Sequence, residues 1–89
     1  MTITRTVQIT NRRGLHARAS AKFVTMAAAQ PIEVSVEKDG SCVTGTSIMG
    51  LMMLGAAKGD HITISASGDG AELVVGQLAQ LVEDRFGED

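Results

Sequence analysis

Gly14-Leu15-His16-Ala17-Arg18 is the stretch of this chain whose residue types and spacing suggest covalent chemistry. It lies between an alternating, β-branched run and an Ala-rich helical run. His16 therefore falls at the N-terminal end of a helix, with Arg18 two residues on. Backbone N–H groups at such an end lack helical partners, and the aligned peptide dipoles give it a partial positive charge, so it receives anions. The same field disfavours a cationic ring, which leaves the imidazole neutral and nucleophilic. A phosphoryl group suits both properties: a ring nitrogen takes it up, and the N–H groups of Ala17 and Arg18 with the Arg18 guanidinium hold its oxygens. A lone histidine near a helix end is often a plain surface residue, so its surroundings must decide.

Those surroundings are basic. Arg12, Arg13, Arg18 and Lys22 all lie within six residues of His16, and residues 1–32 contain no acid. The other 57 residues hold all ten acidic side chains and three basic ones, for a net charge of −2 overall. Arg12 and Arg13 can be solvated turn charges or can steer an acidic partner or phosphate toward the histidine.

The elements that must position His16 follow from periodicity. Thr2–Thr10 alternates as a strand with Ile3, Arg5, Val7 and Ile9 on one face, where Arg5 is the misfit. Asn11–Gly14 is turn chemistry, with Gly14 free to adopt a backbone that a β-carbon resists and Leu15 anchoring the turn in the core. Ala17–Ala29 is helical and ends at Gln30-Pro31. Ile32, Val34 and Val36 alternate as a second strand, Lys38-Asp39-Gly40 turns, and Ser41–Gly45 returns. Ile48–Ala57 starts as a short helix capped by Ser47 and runs into a loop. Asp60–Ser67 is a strand with Ile62, Ile64 and Ala66 inward. Ala71–Phe86 is a helix on Val74, Val75, Leu78, Leu81, Val82 and Phe86, and Gly87-Glu88-Asp89 is a frayed tail.

The order is βαββαβα. Alternating strands with one polar face make an antiparallel sheet whose other face the helices cover, an α+β two-layer sandwich. With 89 residues the chain is expected to form one domain, residues 1–89.

Composition removes several functions. Phe23 and Phe86 are the only aromatics, which leaves no stacking platform for bases, and a chain of net charge −2 has too few cations for nucleic acid. Cys42 is alone, so no intrachain disulfide forms, and it has no ligand neighbours at metal spacing; no metal and no cofactor are expected. His61 reads as a surface or edge residue. No apolar run reaches the length of a signal peptide or a membrane span, so a cytoplasmic protein without membrane insertion is expected.

Asn11-Arg12-Arg13-Gly14-Leu15-His16-Ala17-Arg18-Ala19-Ser20-Ala21 resembles the active-site signature of the HPr phosphocarriers of the bacterial phosphotransferase system. Thr46-Ser47-Ile48-Met49-Gly50-Leu51-Met52-Met53-Leu54, followed by Ala57-Lys58-Gly59, resembles that family's second hallmark. Element order and length match as well. The resemblance implies an open-faced sandwich with a four-stranded antiparallel sheet covered on one face by three helices. It implies a covalent carrier, not a stand-alone enzyme, that accepts a phosphoryl group on Nδ1 of His16 from enzyme I. The carrier passes that group to a histidine of an EIIA-type domain. The family usually has proline where Ala19 stands; alanine is a good helix former, so the helix is expected to survive with a looser start and the function to be kept.

The same resemblance implies regulatory phosphorylation of Ser47 by an HPr kinase/phosphorylase; capping alone also explains a serine there. If Ile48–Ala57 is helical, Ile48, Leu51 and Met52 share one face and Met49 and Met53 another, so this second side is expected to be an exposed docking patch near His16. Arg12, Arg13, Ile48, Met49, Met52 and Met53 are the candidate docking residues. The opening Met1–Asn11, the Leu-Met-Met-Leu run and the acidic end resemble the nitrogen-type carriers, and a monomer suits a relay with several partners. A regulatory module that docks without carrying phosphate is the competing reading, and the retained His16 and Arg18 weigh against it.

Overall fold

The computed structural model describes residues 1–88. Its elements run β1 (Thr2–Gln8), α1 (Ala17–Ala28), β2 (Val34–Lys38), β3 (Ser41–Thr44), α2 (Ile48–Met53), β4 (His61–Ser67) and α3 (Ala71–Glu83), then a 3-10 turn at Arg85–Gly87. The four strands form one antiparallel sheet in the order β1-β4-β2-β3, and the helices lie over one face. The expected α+β open-faced sandwich is the observed architecture.

Register follows from which side chains are apolar. Val7 opposes Ile62, Arg5 opposes Ile64, and Val36 lies between Ile64 and Val43, so one face of the sheet is a continuous apolar floor. The opposite face carries hydroxyl pairs: Thr2–Ser67 at 2.8 Å, Thr4–Ser65 at 3.3 Å and Thr6–Thr63 at 3.0 Å. A one-residue slip would bury this polar ladder and expose the floor.

α1 buries Ala19, Ser20, Phe23 and Ala27, and α3 buries Ala71, Val74, Val75, Leu78, Ala79 and Val82. Phe23 and Phe86 are fully enclosed, each worth about 1.5–3 kcal/mol of burial. Arg5 stays on the apolar face by pairing with Glu83 of α3 at 3.4 Å; with both side chains nearly half exposed, the pair contributes about 0–1 kcal/mol.

Several boundaries differ by one residue from the sequence expectation, and three differ by more. β1 stops at Gln8, after which Ile9 bonds to the loop before β4, exchanging N–H to Asp60 C=O and C=O to Gly59 N–H at 2.8 Å each. Ile32 precedes β2 and packs on the core from outside it. α3 ends at Glu83 instead of Phe86, because Arg85 and Phe86 take left-handed conformations with φ of 57° and 55°. That backbone costs non-glycine residues about 1–2 kcal/mol each, and burial of Phe86 together with a 2.7 Å bond from Lys22 Nζ to its carbonyl offsets it. The reversal directs Gly87 and Glu88 back across the N-terminus of α1.

Candidate functional site

Gly14 is the first requirement of the site. Its φ is +66°, and a β-carbon there would lie 2.4 Å from the Ala56 carbonyl oxygen and 2.9 Å from Ala57 Cα. Leu15 donates its N–H to the same carbonyl at 2.9 Å and buries its side chain, as expected for an anchor. The loop after α2 thus clamps the turn before α1, and His16 is the next residue.

His16 is the N-cap of α1, with extended backbone at φ −77° and ψ −179°. The first intrahelical bond is Ser20 N–H to His16 C=O at 2.9 Å, so the amides of Ala17, Arg18 and Ala19 precede the helical ladder. Arg18 N–H donates to His16 Nδ1 at 3.2 Å. The helix begins at Ala17 with Ala19 fully buried, so it survives the alanine, which supplies helix propensity where proline would supply a fixed φ.

The ring's other nitrogen meets a residue that sequence reasoning placed in a frayed tail. Glu88 Oε2 lies 2.7 Å from His16 Nε2, and Glu88 Oε1 accepts from Asn11 Nδ2 at 3.1 Å. Asn11 is fully buried and spends its other amide hydrogen on the Gly14 carbonyl at 2.8 Å. Desolvation alone would raise the Glu88 carboxyl. The hydrogen bonds from Asn11 and His16, with the Lys22 charge nearby, outweigh it and hold the group below the usual carboxylate range. The tail expectation is therefore corrected at Gly87 and Glu88, and Asp89 lies outside the described residues.

Both contacts assign the same tautomer. An ionised carboxylate accepts only, so Nε2 carries the proton; a backbone N–H donates only, so Nδ1 presents a lone pair. The nitrogen with the lone pair faces the helix N-terminus. Arg12, Arg13, Arg18, His16 and Glu88 line a cleft of about 420 Å³ around it. An electrophile entering there would meet Nδ1, and its anionic oxygens would meet amides and guanidinium groups.

Ser47 is the N-cap of α2, and its Oγ accepts from Gly50 N–H at 2.9 Å. In α2 only Leu51 is buried, with Leu54 just beyond. Met49 and Met53 are 67% and 80% exposed, as expected. Ile48 and Met52 are 41% and 39% exposed, less open than the two methionines but reachable, as candidate docking residues must be. A six-residue helix seated on one side chain turns the rest of its surface outward. α2 packs on α1, and the loop that follows α2 holds the turn before His16 through the Leu15 N–H to Ala56 C=O bond.

The remaining candidates lie elsewhere. His61 is exposed at the start of β4, opposite Gln8, and Cys42 is exposed on β3 opposite Glu37. No group of three or more metal-ligating side chains occurs among the described residues. No helix among them is long and apolar enough to cross a membrane.

An open-faced sandwich that offers one histidine nitrogen among the unpaired amides of a helix N-terminus fits a small carrier of an anionic group. A family model described as the PTS HPr component phosphorylation site matches residues 3–84. Phosphocarrier protein HPr of Pseudomonas aeruginosa is 42% identical over 83 residues, spanning 92% of each chain. Phosphocarrier protein HPr of Neisseria meningitidis serogroup A is 46% identical over 82 residues, again 92% of each. The crystal structure of HPr-C-His from Thermoanaerobacter tengcongensis superposes with a TM-score of 0.92 at 41% identity and 98% coverage of both chains. The chain belongs to the HPr family of phosphotransferase-system phosphocarriers.

Proposed function

We propose that His16 is the phosphoryl acceptor of this phosphocarrier, with Nδ1 as the nucleophile. Phosphoenolpyruvate-charged enzyme I supplies the group, and a histidine of an EIIA-type protein removes it. The observation that carries this reading is the opposed pair of contacts on the ring, Arg18 N–H to Nδ1 and Nε2 to Glu88. As the N–P bond forms, the Arg18 N–H shifts from the consumed lone pair to a phosphoryl oxygen, joined by the Ala17 N–H and the Arg18 guanidinium. Arg12 and Arg13, exposed at the rim, steer the acidic partner.

Ile48, Met49, Met52 and Met53 form the docking surface for both partners. Their exposure and the adaptability of methionine support it. Ser47 at the edge of that surface is the site for a regulatory phosphate where an HPr kinase/phosphorylase is present. A dianion there would repel an acidic partner. The N-terminal Thr-Val-Gln-Ile-Thr-Asn run and the Leu-Met-Met-Leu segment support the nitrogen-type branch, with the protein acting as a cytoplasmic monomer.

Incubation with phosphoenolpyruvate and enzyme I of either branch tests the assignment. An acid-labile, alkali-stable phosphoryl group is expected on wild type and absent from His16→Ala. A labelled His16→Ala protein would move the acceptor elsewhere.

A further inference from the structure

We propose that Glu88 is a positioning residue for phosphoryl transfer. It keeps a proton on His16 Nε2, so that Nδ1 is the nucleophile when the group arrives and a neutral imidazole is the leaving group when it departs. This inference rests on His16 being the acceptor and deepens that reading.

The contact is built from both directions. Asn11, fully buried, uses one amide hydrogen on Gly14 and the other on Glu88 Oε1, which leaves Oε2 to face the ring at 2.7 Å. The chain reaches this position by two left-handed residues, Arg85 and Phe86, with Phe86 buried and its carbonyl bonded to Lys22. Two donors converge on one group, Asn11 Nδ2–H and His16 Nε2–H, and a carboxylate accepts both. A glutamine presents one oxygen and one NH2. Its NH2 must face one of the two donors, and facing His16 it would favour the opposite tautomer.

Each transfer balances with this proton held in place. On arrival the Nδ1 lone pair forms the N–P bond while the bond from phosphorus to the donor breaks, its electron pair leaving with the donor. The ring becomes an imidazolium bearing phosphoryl on Nδ1 and hydrogen on Nε2, with its positive charge against Glu88. On departure the acceptor's lone pair forms the new bond to phosphorus, and the N–P pair returns to Nδ1. The ring is released neutral, still bearing Nε2–H. Had the proton been lost between the two steps, the leaving group would be an imidazolate, a far poorer one. Arg12, Arg13, Arg18 and Lys22 are the cations facing this ensemble, and all of them disfavour an added positive charge on the ring. Glu88 is the counterion that opposes them among the described residues of the cleft.

The test compares wild type with Glu88→Gln and Glu88→Asp, each with Asp89 retained and folding checked by amide spectra. Ring 15N shifts of His16 give the tautomer, and single-turnover phosphorylation by enzyme I and phosphoenolpyruvate gives the rate. Wild type is expected as the Nε2–H tautomer. Glu88→Gln is expected to show mixed tautomers and transfer slowed about tenfold or more, the scale of one lost charge-assisted hydrogen bond. Glu88→Asp should recover part of both. Wild-type tautomer or wild-type rates in Glu88→Gln would overturn the role of Glu88 while leaving His16 as the acceptor. Wild type that takes up no phosphoryl group at His16 would overturn the assignment of His16 itself and this inference with it.

Discussion

Two helices in this fold start in the same way and do different work. α1 is capped by His16 Nδ1 and α2 by Ser47 Oγ, each accepting a backbone N–H from the first turn, at 3.2 Å and 2.9 Å. At α2 the cap is local: Oγ bonds Gly50, so the serine serves its own helix, and a β-carbon on Gly50 would sit 3.0 Å from that oxygen. At α1 the cap is longer, and the side chain has a second nitrogen tied to a carboxylate from the far end of the chain. Arginines line the cleft around it, whereas the outward side chains of α2 are apolar. A helix N-terminus becomes a reactive site when the capping group can spend its lone pair on something other than the helix.

Exchanging the caps breaks the comparison most sharply. His16→Ser keeps a good capping residue on α1 and is expected to lose all phosphoryl uptake from enzyme I. Ser47→His puts an imidazole on α2 without a carboxylate partner or arginine cleft, and no second phosphoryl group is expected on it by mass spectrometry. Arg18→Ala removes one charge-assisted hydrogen bond to the phosphoryl group and should slow transfer about ten- to a hundredfold in single-turnover kinetics.

Stability effects sharpen the contrast further. Gly14→Ala forces a β-carbon into a left-handed position against the Ala56 carbonyl, and should cost at least about 2 kcal/mol in denaturant unfolding. Ser47→Ala should cost about 1 kcal/mol by the same measurement, the value of a lost N-cap.

The smallest effect is the pH dependence from Glu88. Its carboxyl is depressed in the folded protein, so its contribution is fully present above the usual carboxylate range and is lost as pH falls through the depressed value. The stability difference between wild type and Glu88→Gln should shrink on acidification through that window. A difference that grows there would contradict the ionised Glu88–His16 contact.

Much of the reactive half was legible in the chain because its signals are local. Gly14 before the helix, Leu15 as anchor, His16 at the cap and Arg18 beyond it fall within five residues, and each stands in the fold where the local pattern puts it. Strand faces were legible for the same reason: period-two alternation sets register without reference to distant residues. Glu88 was not legible. It lies 72 residues from His16, and two non-glycine residues in left-handed backbone bring it there, a conformation that side-chain type does not announce. The degree of exposure along α2 was not legible either: helical periodicity tells which residues share a face, but not how much of a one-and-a-half-turn helix the core can reach.

Nδ1 of His16, not Nε2, is the nitrogen proposed to meet the phosphoryl donor. Protein labelled with 15N and phosphorylated by enzyme I and phosphoenolpyruvate tests it through the one-bond 15N–31P coupling and the ring 15N shifts. Phosphorus on Nδ1, with hydrogen retained on Nε2, is the result this arrangement predicts. Phosphorus on Nε2 would mean that Glu88 is displaced and that the helix N-terminus does not select the nucleophile, which contradicts the account.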